Sequence, residues 1–280
     1  MQLSVVYVSG AGNTFTLVRE GRRRFPLSVW RRLAPQLCRW TDGLLLLGKP
    51  GGEGKVPVQY FNPDGSTGML CGNGARCAAA VVMGERRQPV ILLFAGQEIE
   101  AVPTEQGIRL RLYPPRLFPQ QRSLSLAEGQ LYIWFADVGS PQAVIPIQEL
   151  AALGFHGSLG QVEMERLGKQ VRYHPEFAPA GVNVSVYSVA EDGRVWVRTY
   201  ERGVERETQA CGTAAIAVAL TAWIRDRLSP PIPIVPLSRS TLTVAWEGKP
   251  PDQLRAIFLE GGAEILGTDT VEVSLEDDEW

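Results

Sequence analysis

Cys71 and Cys211 are the residues in this sequence best placed to do chemistry. Cys71 opens the segment Cys71-Gly72-Asn73-Gly74-Ala75-Arg76-Cys77, and Cys211 opens Cys211-Gly212-Thr213-Ala214-Ala215, one in each half of a 280-residue chain. Each Cys-Gly pair runs into small, apolar residues that read as a helix, which puts each thiol at a helix start. There the helix dipole and the free N–H groups favour a thiolate and also bind carboxylates. Glycine at 72, 74 and 212 lets a ligand approach the backbone closely. A thiolate that removes a proton from one face of a carbon, opposed by a thiol that returns one from the other face, inverts that carbon. The pattern therefore predicts a racemase or epimerase that needs no cofactor. Donors already aimed at the growing carboxylate charge would supply much of the rate.

The remaining candidates read more plainly. Cys38 and Cys77 read as small buried hydrophobes. The Cys71/Cys77 spacing is not a zinc spacing, and His156 and His174 have no ligand pattern, so no metal is expected. Glu201-Arg202, taken alone, reads as a strand-end ion pair. A redox role is disfavoured because no Cys-x-x-Cys is present.

Composition narrows the class. Apolar residues make up 45% and charged residues 21%, with a formal net charge of −2. This is a globular chain with no nucleic-acid footprint. The longest apolar run, 214–224, is too short to cross a bilayer, so no membrane partner is expected. The first residues carry no export pattern, which makes cytoplasm the expected compartment. Four cysteines are too few for a disulfide scaffold. Only four asparagines occur, at 13, 62, 73 and 183. Each sits in or beside a turn or at a strand edge, where ligand-contacting amides are expected.

The elements that must position these groups follow from breakers and periodicity. Strands are expected over 2–8, 15–19, 44–47, 56–61, 90–94, 97–102 and 108–112, with helices over 27–37 and 72–83. Pro114, Pro115 and Pro119 read as a linker. Beyond it, strands are expected over 131–135, 143–147, 182–189 and 194–200, a helix over 212–228, and strands near 241–246 and 254–259. Strand, turn, strand and then a helix behind Cys-Gly occurs in both halves. The expected fold is α+β with an internal duplication, the two Cys-Gly helix starts facing one interdomain cleft.

The motifs resemble those of a known family. Phe61-Asn62-Pro63-Asp64-Gly65-Ser66 with Cys71-Gly72-Asn73-Gly74-Ala75-Arg76-Cys77 resembles the first signature of diaminopimelate epimerases. Tyr200-Glu201-Arg202-Gly203 with Thr208-Gln209-Ala210-Cys211-Gly212-Thr213 resembles the second. Gly10-Ala11-Gly12-Asn13-Thr14-Phe15 is similar to the family's opening turn, and Gly139-Ser140-Pro141 and Val182-Asn183 fall where further motifs belong.

The resemblance implies two pseudo-symmetric domains, each a mostly antiparallel sheet or barrel around a central helix. They would span 1–117 with Cys71 and 118–263 with Cys211, the tail 264–280 packing back on the first. It implies a homodimer, diaminopimelate as small-molecule substrate, no cofactor, and Cys71 and Cys211 as the base/acid pair. Gly72, Asn73, Gly212 and Thr213 would hold the reacting carboxylate. Asn13, Asn62, Asn183, Glu201 and Arg202 would hold the amino groups and the distal carboxylate, with Ser140 also lining the site.

Four departures stand out. Gln142 occupies the place of a family histidine that helps set cysteine protonation, which leaves Gln142 and Glu201 as candidates to tune the thiols. Gly43 offers no side chain at a usual substrate-contacting position, and Ala214 replaces a glycine. One extra residue lies between Gly203 and Thr208. Two rivals remain: a related thiol racemase of another amino acid, and a non-catalytic amino-acid-binding descendant.

Overall fold

A computed structural model describes residues 1–21, 25–67 and 70–275. The last five residues of the expected tail, 276–280, lie outside the described residues. The chain divides into two compact units, Met1–Arg111 with the chain from Gly261 onward, and Leu112–Glu260.

The first unit begins with β1 (Gln2–Gly10) and β2 (Asn13–Arg19), then α1 (Leu27–Leu37), β3 (Leu44–Leu47) and β4 (Val56–Phe61). It continues with α2 (Gly72–Met83), β5 (Val90–Phe94), β6 (Gln97–Thr104) and β7 (Gly107–Leu112). The second unit holds β8 (Leu117–Leu126), β9 (Gly129–Asp137), β10 (Pro141–Pro146), α3 (Met164–Arg172), β11 (Asn183–Val189), β12 (Val195–Glu201) and β13 (Arg206–Thr208). It ends with α4 (Gly212–Arg225), β14 (Ile232–Val235), β15 (Leu242–Lys249) and β16 (Gln253–Gly261). The chain then returns to the first unit as β17 (Glu264–Glu272), antiparallel to β1.

The duplication is visible in the strand pairings. In the first unit β17–β1 and β1–β2 are antiparallel, β2–β3 parallel, β3–β4 antiparallel, β4–β5 parallel, and β5–β6 and β6–β7 antiparallel. In the second unit β8–β9 and β9–β10 are antiparallel, β10–β11 parallel, β11–β12 antiparallel, β12–β14 parallel, and β14–β15 and β15–β16 antiparallel. The sense of the pairs follows the same order in both. β17, from the end of the chain, takes the place that β8 has in the second unit. The helices match as well: α2 follows β4, and α4 follows β12 and its short partner β13. The fold is thus α+β with two pseudo-symmetric halves.

α2 and α4 are central helices. Ten of the twelve α2 residues and ten of the fourteen α4 residues are buried, so neither has a solvent face worth the name. Alanine and glycine make this possible, because a helix with short side chains lets strands approach from several sides. α2 packs against β1, β2, β5 and β17, and α4 against β10, β11, β12, β14 and β15. Gly10, at the end of β1, shows how close the approach is. A Cβ there would lie 2.9 Å from the Asn73 carbonyl oxygen and 3.0 Å from Cys77 Sγ. Beyond the helices, Trp30, Leu33, Leu44 and Phe61 centre one apolar cluster, and Leu131, Ile145, Val184 and Tyr200 another.

Several expectations need correction. The Pro114–Pro119 stretch is not all linker, because β8 starts at Leu117. Pro119 fits a strand because the pairing slips between Leu117 and Gln120, and a bulge on a strand tolerates a residue without an N–H. Pro141 belongs to β10 rather than to the preceding turn. α4 stops at Arg225, short of Leu228; the next residues include Arg227 with φ of 58°. α3, β8, β13, β14 and β17 are not among the expected elements, although the tail that forms β17 is expected to pack on the first half.

Candidate active site

The first cluster is built on the start of α2. Cys71 is its N-cap, with extended backbone (φ −106°, ψ 108°), and the Gly74 N–H donates to Cys71 Sγ at 3.4 Å. This is the N-cap arrangement in which a side-chain acceptor takes up a free helix donor. Asn73 is 1% exposed, and its Nδ2 donates to Asn13 Oδ1 at 3.1 Å. Asn13 is held there because it begins β2 opposite Gly10. The Thr14 backbone and hydroxyl both donate to Asp42, which ties down the chain beside Asn13.

Asn62 does not join this pair. Its Nδ2 donates to Ser66 Oγ at 2.8 Å, inside a turn where Ser66 also donates to Asp64. Gly43 also has a structural cause. A Cβ at that position would lie 2.4 Å from the Tyr60 ring, so Tyr60 occupies the space a side chain would need.

The second cluster surrounds the start of α4. Cys211 is the N-cap (φ −127°, ψ 116°), 8% exposed, with its sulfur 3.3 Å from Thr213 Oγ1. Gln142 and Asn183 are neighbours in register on the parallel pair β10 and β11. Gln142 is fully buried, and its Nε2 donates to Ser140 Oγ at 2.7 Å and to Thr213 Oγ1 at 3.0 Å. Ser140 Oγ in turn donates to Thr213 Oγ1 at 3.0 Å, while Asn183 Nδ2 donates to Ser140 at 3.4 Å. Thr213 thus accepts twice, and its own proton points toward Cys211 Sγ. The Asn183 Oδ1 accepts the Arg202 backbone N–H at 2.8 Å, and Arg202 Nη1 donates to the Ala180 carbonyl. Glu201 accepts from Thr208 Oγ1 at 2.8 Å. Thr208, which lies in the second signature without an assigned role, is thus a neighbour of the site.

At Cys211 the helix start does not prevail. Burial pushes this thiol well above 9.0 and the charge of Glu201 adds to it, while Thr213 and the Ala214 N–H pull the other way and lose. Desolvation of the charged form outweighs a few donors when the sulfur is so enclosed. Cys38 and Cys77 are also buried, with thiols pushed up to about 11 and about 12. Protonated and enclosed, they are inert. His174 caps the short turn Pro175–Phe177 instead of joining either cluster. Among the described residues no group of three or more His, Cys, Asp or Glu side chains could hold a metal ion.

The chain is 31% identical over 274 residues to a diaminopimelate epimerase of Chlorobaculum tepidum, an alignment covering 94% of this chain and 99% of its relative. A diaminopimelate epimerase of Chlamydia trachomatis is 32% identical over 278 residues, covering 92% of this chain and 88% of that one. The chain belongs to the diaminopimelate epimerase family. The family's fold is shared more widely. A probable proline racemase from Agrobacterium radiobacter superimposes with a TM-score of 0.74 at 16% identity, over 99% of this chain and 94% of that one. No protein-family model matches the chain. Of the two clusters, Cys71, Asn73, Cys211 and Thr213 lie in the cysteine signatures, and Asn13, Ser140, Gln142 and Asn183 lie outside them.

Proposed function

We propose that this chain is an isomerase that interconverts LL- and meso-diaminopimelate without a cofactor, using Cys71 and Cys211 as a base/acid pair. One observation carries the proposal: each half of a duplicated fold places a cysteine at the N-cap of its central helix.

Inversion requires the two sulfurs to reach one carbon from opposite faces. A Cys71 thiolate takes the α-proton and becomes a thiol. The electron pair left on carbon delocalises into the α-carboxylate, which helix-start N–H groups at Gly72, Asn73, Gly212 and Thr213 stabilise. Cys211 gives its proton to the opposite face and becomes the thiolate. Burial and Glu201 keep Cys211 protonated at rest, which suits it as the acid in this direction. The reverse reaction exchanges the two roles. Ser140 and Gln142 hold Thr213 against Cys211. Arg202, Glu201, Asn13, Asn62 and Asn183 recognise the distal amino-acid end, where a guanidinium pairs with carboxylate and the amides supply both donors and acceptors. A homodimer in the cytoplasm, resting on the family resemblance, completes the reading.

The test is epimerisation in deuterated water. Starting from either isomer, early product carries solvent deuterium while the remaining substrate stays protonated, because the proton removed and the proton delivered sit on different thiols. Cys71→Ala and Cys211→Ala each abolish inversion. Diaminopimelate is preferred at least about a hundredfold over simple amino acids, which bring no distal amino-acid end to Glu201 and Arg202, and each 1.4 kcal/mol is tenfold. Equal turnover of alanine, histidine or proline would instead assign a general amino-acid racemase.

A further inference from the structure

Arg76 has no part in the chemistry described so far, yet it is among the most enclosed side chains in the protein. It is 0% exposed and lies in α2, five residues after Cys71. Its partners are all neutral oxygens: Asn73 Oδ1 at 2.7 Å from Nη2, the Gly72 carbonyl at 3.4 Å from Nη1, and the Gly262 carbonyl at 3.4 Å from Nε. No carboxylate pairs with it among the described residues. A buried guanidinium without a counter-charge is costly, and a neutral side chain of similar length would pack here at less expense. The ionisable groups that bear on it are the sulfurs of Cys77 and Cys71.

We propose that Arg76 is a positioning residue for proton transfer, fixing the direction of the Asn73–Asn13 amide pair and placing a buried positive charge beside the helix start that carries Cys71. This rests on the reading of Cys71 as the base.

The direction of the amides follows from donor and acceptor chemistry. A guanidinium only donates, so Asn73 must turn Oδ1 toward Arg76 and Nδ2 toward Asn13. Asn13 then accepts with Oδ1. Its own NH2 group is left to act as a donor, the correct polarity for a substrate carboxylate. Without Arg76 the Asn73 amide could turn over, and Asn13 would present the wrong end.

Charge and burial together separate the sulfurs of Cys71 and Cys77. Burial draws the Arg76 pKa down and the sulfurs draw it back, but a guanidinium stays protonated near neutrality. Its charge favours a thiolate at either sulfur. At Cys77 burial wins and the thiol stays protonated, pushed up to about 12. Cys71 is only half-buried, and its sulfur already accepts the Gly74 N–H. Of the two sulfurs, Cys71 is therefore the one at which burial opposes the cation less.

The experiment compares wild type, Arg76→Met and Arg76→Lys. It measures the rate at which iodoacetamide alkylates Cys71, located by peptide mass mapping, from pH 6 to 10, alongside kcat and KM. In wild type the alkylation midpoint is expected below that of free cysteine run in parallel. Arg76→Met, folded by circular dichroism, is expected to slow alkylation at pH 7 by about tenfold, the effect of one pH unit in the midpoint. Arg76→Lys restores most of that rate by keeping the charge, but its KM rises because an ammonium cannot hold the amide as a planar fork does.

A wild-type midpoint at or above that of free cysteine overturns the proposal, and so does folded Arg76→Met alkylated as fast as wild type. If Arg76→Met does not fold, the wild-type midpoint decides. A low midpoint that Arg76→Met raises, in an enzyme that fails to epimerise diaminopimelate, would sink the substrate assignment alone and leave Arg76's effect on Cys71 standing.

Discussion

At Gln142 an amide stands where the family resemblance places an imidazole, and the difference is one of titration. The amide holds two hydroxyls, those of Ser140 and Thr213, in a fixed direction at every working pH. Neutral imidazole would do this only through one of its nitrogens, and imidazolium would add a positive charge beside Cys211. Histidine titrates near pH 6.5 when unperturbed. Gln142→His is therefore expected to add a limb between about pH 6 and 7 to the profile of kcat/KM that the wild type lacks. Charging the imidazole stabilises a Cys211 thiolate and removes the acid. Superimposable wild-type and Gln142→His profiles from pH 5.5 to 8.5 would show that residue 142 does not govern the thiol.

The turn between β12 and β13 shows how an element absorbs an insertion. The extra residue noted after Gly203 is accommodated with Glu205 in left-handed backbone, at φ 57°. That conformation costs a non-glycine residue about 1 kcal/mol. The Glu205 carboxylate offsets it by accepting from Arg172, Tyr173 and the Gly203 N–H, at 2.9 to 3.2 Å. Arg172 and Arg202 also share the Ala180 carbonyl, so the C-terminal end of α3 braces the turn that carries Arg202. Glu205→Ala is expected to raise KM for diaminopimelate about tenfold, equivalent to 1.4 kcal/mol, with a smaller change in kcat. Glu205→Gly, which relieves the backbone but still lacks the carboxylate, should raise KM as much. An unchanged KM in both would remove α3 from any role in binding.

α3 is also an element that the sequence reading missed, although Met164, Leu167, Gly168 and Val171 lie buried along one face at helical spacing. Nine mostly polar residues give a weak signal that only packing against β11 and β12 completes. β17 was missed for a different reason. It is exposed along most of its length, and its stability comes from pairing with β1 at the other end of the chain. By contrast, α1, α2, β3 and β4 were legible to the residue, because strong breakers bound their apolar patterns. The motifs that carry the resemblance, the two cysteine signatures and the three shorter ones, include most members of both clusters. They could not reveal Arg76, since a charged residue next to a cysteine reads as surface until the fold encloses it.

The whole molecule buries several groups in the form they keep only when folded. Burial makes Cys38, Cys77 and Cys211 hold their thiol protons, the first up to about 11 and the second to about 12, from an ordinary 9.0. Tyr200 behaves alike, raised from 10.0 to about 12. In the unfolded chain these groups release their protons at their ordinary values, so above pH 9 the unfolded state binds fewer protons than the folded one. The stability they contribute is complete below pH 9 and is lost as pH rises, through about 11 for Cys38 and about 12 for Cys77. Each thiol contributes at most about 1.4 kcal/mol per pH unit in that window. Against a total stability of about 5–15 kcal/mol, three thiols acting together are a large fraction. Denaturant midpoints measured from pH 8 to 10.5 should be flat below pH 9 and then fall steeply. Cys77→Ala should cost about 1 kcal/mol at pH 8 through lost packing. It should also fall less steeply than wild type above pH 9, since one of the three protons is gone. Parallel curves for the two proteins across that range would mean that Cys77 is not held protonated by the folded core.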